Sequence, residues 1–168
     1  MRDLGITLLG ALNILLDGES VKGLDSDKTR ALLVYLALEA DQPQRRDFLA
    51  EMFWPEKPEG SGRDSLKQAL SNLRKVLREH NAKTPFLLIS REEIQFNSGS
   101  HFWVDVNEFR ELLEHVNNHD HPDLEACQAC AHWLQQAAGL YRGDFLEQFS
   151  LRDSSIFEEW ILIGYGHE

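Results

Sequence analysis

Residues 63–80 divide two chemistries between opposite sides of one helix. On a 3.6-residue period Leu66, Ala69, Leu70, Leu73, Val76 and Leu77 share one side. Lys67, Gln68, Ser71, Arg74, Lys75 and Arg78 lie opposite or on the flank. A helix divided in this way packs on its apolar side and turns its cations outward. The expected helix therefore fixes both a core contact and an exposed basic surface.

The basic surface stands out against the rest of the chain. The net charge is −11 over 168 residues. Residues 1–100 carry 14 Lys and Arg against 15 Asp and Glu, whereas residues 101–168 carry 3 against 13. Within residues 62–83 Arg63, Lys67, Arg74, Lys75, Arg78 and Lys83 face only Asp64 and Glu79, for +4. A local cationic stripe in an acidic chain is the footprint of a nucleic-acid site held by one element. Charge alone fits a plain solvated helix face equally well, so the neighbouring elements matter.

Those neighbours read as α+β. In the first stretch Leu12, Ile14 and Leu16 alternate with other residues, and Asp17-Gly18 follows. That pair is a strong hairpin signal, because a type I′ turn needs positive φ at both central positions. About three short antiparallel strands are expected there. Ser26 or Asp27 caps a helix through Ala31, Leu32, Tyr35, Leu36 and Leu38, which Pro43 forbids from continuing. A second helix spans about Arg46 to Phe53, and Trp54-Pro55 stops it. Residues 56–62 form a loop before the basic helix. Residues 85–90 and 94–97 are two strands joined by a tight turn at Arg91-Glu92-Glu93. Strands, helix, helix, basic helix and hairpin in this order make a winged helix-turn-helix. Its turn is longer than the roughly three or four residues of the simple motif. Phe102-Trp103-Val104-Asp105-Val106 leads into an acidic, all-helical stretch over 107–160. A domain boundary is expected near 100–106, giving a winged-helix domain over 1–100 and a helical segment over 101–168.

Three sets of residues in this order resemble the SARP-type bacterial transcriptional activators. The first is Lys28-Thr29-Arg30-Ala31-Leu32-Leu33 with Tyr35-Leu36-Ala37-Leu38. The second is Phe48-Leu49-Ala50-Glu51 with Trp54-Pro55, and the third Arg63 with Ser65-Leu66-Lys67-Gln68-Ala69-Leu70-Ser71 and Leu73-Arg74. Leu140-Tyr141-Arg142-Gly143-Asp144-Phe145-Leu146 and Phe157-Glu158-Glu159-Trp160 resemble the start of the bacterial transcriptional activator domain, a tetratricopeptide-like helical module. The match covers about residues 6–162. The resemblance implies an OmpR-type winged helix whose third helix enters the major groove of double-stranded DNA, with the hairpin as wing. It also implies recruitment of RNA polymerase, pairing of two copies on direct repeats, and an activator domain that runs on past residue 160. Groove candidates are Arg63, Lys67, Gln68, Ser71, Asn72, Arg74, Lys75 and Arg78. Phosphate candidates are Lys28, Arg45, Arg46 and, on the wing, Arg91, whose pull Glu92 and Glu93 weaken. Without the further helices, Phe157, Trp160 and Ile161 are expected to pack back on preceding helices or to seek a partner chain. The competing reading is a protein-interaction module with an acidic docking surface and little DNA affinity.

Other features carry weaker signals. Cys127 and Cys130, with His119 and His121 upstream, form a sterically acceptable tetrahedral zinc set. The same two cysteines at i and i+3 equally suit small core positions of a helix. No thioredoxin-like βαβ pattern surrounds them, so a redox role is disfavoured. Asp105, Glu108, Glu111 and Glu114 read as a solvated acidic face, and Trp54, Trp103, Trp133 and Trp160 as core. Gly60-Ser61-Gly62-Arg63 enters a helix and suits a DNA phosphate at the helix N-terminus. No Gly-rich nucleotide loop, HExxH or GxSxG motif is present, so neither an enzyme nor a cofactor is expected. No apolar run approaches the about 18 residues of a membrane span, and a reducing cytoplasm is the expected compartment.

Overall fold

The computed structural model describes residues 3–24, 26–58, 60–79, 83–119 and 127–164. Strand β1 (Leu4–Thr7) pairs antiparallel with β2 (Asn13–Leu16), Leu4 opposite Leu16. Asp17 and Gly18 then turn the chain into β3 (Glu19–Ser20) with φ of 53° and 87°. This is the Asp-Gly hairpin expected from the sequence. Helix α1 (Asp27–Leu38) is capped by Ser26, whose side chain accepts from the Thr29 N–H at 3.4 Å. Its residues Ala31 to Ala37 are all buried, so α1 is the central helix rather than a one-sided surface helix.

Helix α2 (Arg46–Phe53) follows a two-residue strand, β4 (Gln44–Arg45). Helix α3 (Ser61–Val76) buries Leu66, Ala69, Leu70 and Leu73, the apolar side expected of it. It starts two residues earlier than residue 63 and stops short of residue 80. The Arg78 N–H donates to the Lys75 carbonyl and the Glu79 N–H to the Arg74 carbonyl, at 3.2 and 2.9 Å. This is a Schellman closure, and Arg78 occupies its left-handed position at φ 55°. Glu79 then turns inward, where its buried carboxylate accepts the backbone N–H of Phe86 and Leu87 at 2.9 and 3.1 Å.

That anchor sets the start of β5 (Leu87–Ile89), which pairs antiparallel with β6 (Glu93–Phe96). Strand β4 joins on the other side of β6, giving a three-stranded sheet in the order β4-β6-β5. Strand β7 (Phe102–Val104) returns to the first sheet and lies parallel to β1, completing the order β3-β2-β1-β7. Helices α4 (Asp105–Asn118), α5 (Gln128–Leu140) and α6 (Ser155–Gly164) finish the chain's described part. The architecture is thus α+β, with six helices among the described residues.

One hydrophobic core runs through both halves of the sequence. It joins Leu32, Leu36, Leu49, Phe53, Leu66, Phe86 and Phe96 to Leu146, Leu151 and Phe157. The region around 100–106, expected to separate two units, carries β7 and the first turn of α4. There Asp105 is 1% exposed and its carboxylate accepts the Leu8 and Leu9 N–H groups at 2.8 and 3.0 Å. Asp105 is therefore not part of a solvated acidic face. It supplies acceptors to a strand end that has run out of sheet partners. Further on, Gly10 and Leu8 exchange backbone hydrogen bonds with Asp144, Leu146 and Glu147. Phe157 packs on Phe53 with ring centroids 5.6 Å apart, so the last helix does fold back on the first ones. Of the four tryptophans, Trp54 is buried, while Trp103 is 39% exposed and stands against the expectation of core. No helix among the described residues is long and apolar enough to cross a membrane.

Candidate nucleic-acid interface

The outward face of α3 gathers Arg63, Lys67, Gln68, Ser71, Arg74 and Lys75, all exposed. The buried side of the same helix rests on α2 and α1, so the exposed side points away from the molecule. Arg74 and Lys75 occupy the last turn, where the C-terminal end of the helix dipole favours cations. No ion pair among the described residues engages Lys67, Arg74 or Lys75. Their charge is therefore available to an external anion.

Other candidates are already committed inside the molecule. Arg63 pairs with Asp47 of α2 at 3.2 Å. Arg78 lies beyond the end of α3 and pairs with Asp17 at 2.6 Å. Asp17 also accepts the Asp3 backbone N–H, and these two bonds hold its carboxyl below the usual range. Asn72 donates from Nδ2 to the Gly23 carbonyl at 3.2 Å, tying α3 to the loop before α1. Asn72, Ser65, Gln68, Ser26, Thr29 and Trp54 line a shallow cleft of ≈330 Å³ between α1 and α3.

Lys28 is the clearest departure from a phosphate-binding cation. Its ammonium sits between Glu56 at 3.0 Å and Asp153 at 2.8 Å, with only 17% of its side chain exposed. Burial alone would pull its pKa down, but the hydrogen bonds to Asp153 and Glu56 outweigh burial and hold it above the usual lysine value. The same bonds hold both carboxyls below theirs. A cation flanked by two carboxylates presents no net positive charge to DNA.

The hairpin β5–β6 stands beside the α2 N-terminus. Ser90 closes its turn, its hydroxyl donating to the Glu93 carbonyl and accepting the Glu93 N–H, both at 3.0 Å. Arg91 and Glu92 sit exposed at the tip. Arg46 donates from Nε to the Ser90 carbonyl at 3.1 Å and so braces the hairpin, while Arg45 is exposed on β4. The N-terminus of α3 opens at Gly60, with no side-chain cap, onto a cleft of ≈610 Å³. Asp47 and Glu51 line that cleft together with Lys57 and Arg63, so its field is mixed rather than anion-selective.

The metal candidates are partly assembled. Donor atoms of His119, Cys127 and Cys130 lie within 4.8 Å of one another. His121 lies outside the described residues. Sequence reasoning missed the structural roles of Glu79 and Asp105, which look like surface acids in a charge count. Each carboxylate accepts two backbone N–H groups, 7 and 8 positions away for Glu79 and 97 and 96 for Asp105, and such pairing leaves no local signature.

No family model matches the chain, and no curated protein sequence matches it. Among solved structures the chain is similar to EmbR of Mycobacterium tuberculosis, determined in complex with a low-affinity phosphopeptide. The TM-score is 0.74 at 24% sequence identity, over 97% of this chain and 42% of the EmbR chain. The chain thus spans less than half the length of that protein. The described α+β arrangement is a fold that it shares with part of EmbR.

Proposed function

We propose that the chain is a sequence-specific DNA-binding transcription regulator of the SARP type, acting as an activator. The carrying observation is the exposed α3 face, where Lys67, Arg74 and Lys75 have no ion pair among the described residues and alternate with Gln68 and Ser71. Cations neutralise phosphates and release counterions, and amide and hydroxyl groups hydrogen-bond base edges in the major groove. The hairpin β5–β6 serves as the wing, with Arg91 at its tip meeting the backbone. Residues 101–168 form the start of a tetratricopeptide-like activator segment. It faces RNA polymerase, while residues 1–100 read the DNA, two copies side by side, in the cytoplasm. The motifs around Lys28, Phe48 and Ser65 support the family assignment, and the fold shared with EmbR is consistent with it.

Selection of random duplex DNA on the protein tests this reading. An enriched motif is expected, and Arg74→Ala should weaken binding to it and flatten the salt dependence. Enrichment of no motif would sink the proposal. It would favour the interaction module instead, a reading supported by the 13 acids against 3 bases over residues 101–168.

A further inference from the structure

Helices α4 and α5 form a hairpin with little apolar substance at its outer end. Over its 13 residues α5 buries only Cys130 and Ala137, and α4 contributes Val116 opposite. Such a pair has few buried side chains with which to fix the ends of the two helices against each other. The residues that stand there instead are metal donors. His119 is the C-cap of α4, Cys127 is the N-cap of α5, and Cys130 lies in the first turn of α5. The Cys127 sulfur faces the backbone N–H groups of Ala129 and Cys130 and the Cys130 thiol at the start of α5.

The three donor atoms already converge within 4.8 Å of one another. An ion bound tetrahedrally at ordinary zinc distances separates sulfur and nitrogen donors by roughly 3.4–3.8 Å. The donors thus stand within roughly an ångström of that spacing before any ion is bound. The His119 ring is held from the side by Trp133, edge-on with centroids 5.4 Å apart. Cys130 is buried and Cys127 half-buried, which shields two thiolates from solvent, as a structural metal site requires. Two sulfurs and one imidazole select a borderline-soft divalent ion over magnesium or calcium, which prefer oxygen.

We propose that His119, Cys127 and Cys130 bind one Zn²⁺ that staples the end of α4 to the start of α5, with the fourth tetrahedral position open to a further donor. Binding deprotonates both thiols and draws free energy into the folded hairpin, because the unfolded chain does not hold the three donors together. The bond is structural, and the site lies on the helical hairpin, away from α3.

The test uses the full chain, kept reduced, purified with zinc and passed through a desalting column. One Zn²⁺ per chain should remain. Replacement by Co²⁺ should give thiolate-to-cobalt charge-transfer absorption together with intense visible bands of tetrahedral cobalt. Cys127→Ser, at a half-buried position that tolerates a polar atom, should keep its far-ultraviolet circular dichroism and lose the retained zinc. His119→Ala should keep both thiolate charge-transfer bands but bind cobalt more weakly. The drop should exceed the roughly 10–100-fold that follows loss of a group merely hydrogen-bonded to a ligand. A chelator should lower the melting temperature of the wild type and leave that of Cys127→Ser unchanged. Equal metal uptake by wild type and Cys127→Ser would overturn the proposal. So would reduced wild type that takes up neither ion, which would leave Cys127 and Cys130 as packing residues or a dithiol.

Discussion

Trp160 meets Tyr35 edge-on, with ring centroids 5.0 Å apart, and donates its indole N–H to Glu39 at 2.9 Å. The last described helix is thereby fastened to the first. Phe157, one turn earlier, is fully buried against Phe53 and Trp160. Phe157→Ala should therefore destabilise the whole protein by about 3–5 kcal/mol, the range for losing a large aromatic from a packed core. Urea unfolding followed by tryptophan fluorescence and by far-ultraviolet circular dichroism checks this. Both probes should shift together. A change confined to α6, with the remaining structure melting as before, would show that α6 is an appendage.

Asp105 gives a second expectation. Its buried carboxylate is the acceptor for two backbone N–H groups at the end of β1. Asp105→Ala leaves both donors without that acceptor, at a cost of roughly 2–4 kcal/mol. Glu111→Ala, at an exposed position on the same helix, should change stability by no more than about 0.5 kcal/mol. Comparable effects of the two substitutions would contradict the buried role of Asp105.

The Lys28 clamp makes stability depend on pH in a defined direction. Hydrogen bonds from Lys28 lower the Glu56 and Asp153 carboxyls, so their contribution is present above the ordinary carboxylate range. It is lost as the pH falls through the lowered folded-state values. The Lys28 ammonium is raised, so its contribution is complete below the ordinary lysine value and is lost as the pH rises through the raised one. Both carboxylates are well exposed, so solvent screening keeps the effect small. The difference in unfolding free energy between wild type and Lys28→Met should be constant near neutrality and shrink toward both extremes. A difference independent of pH would show that the ion pairs contribute nothing.

The same clamp separates Lys28 from the α3 cations in DNA binding. On the proposed function, Arg74→Ala and Lys75→Ala should each reduce the slope of log affinity against log salt by about 0.9 per lost phosphate contact. Lys28→Ala should leave that slope as it is, because its charge is already balanced by Glu56 and Asp153. A fall in slope for Lys28→Ala, with none for Arg74→Ala, would move the DNA contact from α3 to the α1 end.

Elements with a local cause were readable in the sequence. The helix over Arg46 to Phe53 carries its own stop in Trp54-Pro55, and the Asp17-Gly18 turn is set by two adjacent residues. The apolar side of α3 follows from periodicity alone. Elements that exist only through a distant partner were not readable. Strand β4 has two residues and β7 three, too few for an alternating pattern, and each is defined by the strand it joins. The end of α3 was placed too late because Arg78, not glycine, takes the left-handed position, so the usual stop signal is missing. Lys28 as a phosphate candidate, and Arg63 and Arg78 as groove candidates, were chosen by residue type and by the resemblance. Their acidic partners come from elsewhere in the chain, Asp153 as far as 125 positions away.

The parallel pairing of β1 with β7 has a consequence for how this chain is made. Leu8 and the Asp105 carboxylate that receives its N–H are 97 positions apart, so β1 leaves the ribosome well before β7 does. Until β7 has been synthesised, β1 presents a bare edge of unpaired N–H and C=O groups beside apolar Leu4 and Ile6. Such an edge is a template for joining strands of other nascent chains. Contacts of this high order also close slowly, because the intervening loop must be ordered before they are rewarded. In the nascent chain, therefore, β1 exists before the strand that covers its edge. Shielding β1 during that interval, by a chaperone or by slow dilution in refolding, should raise the yield of native protein.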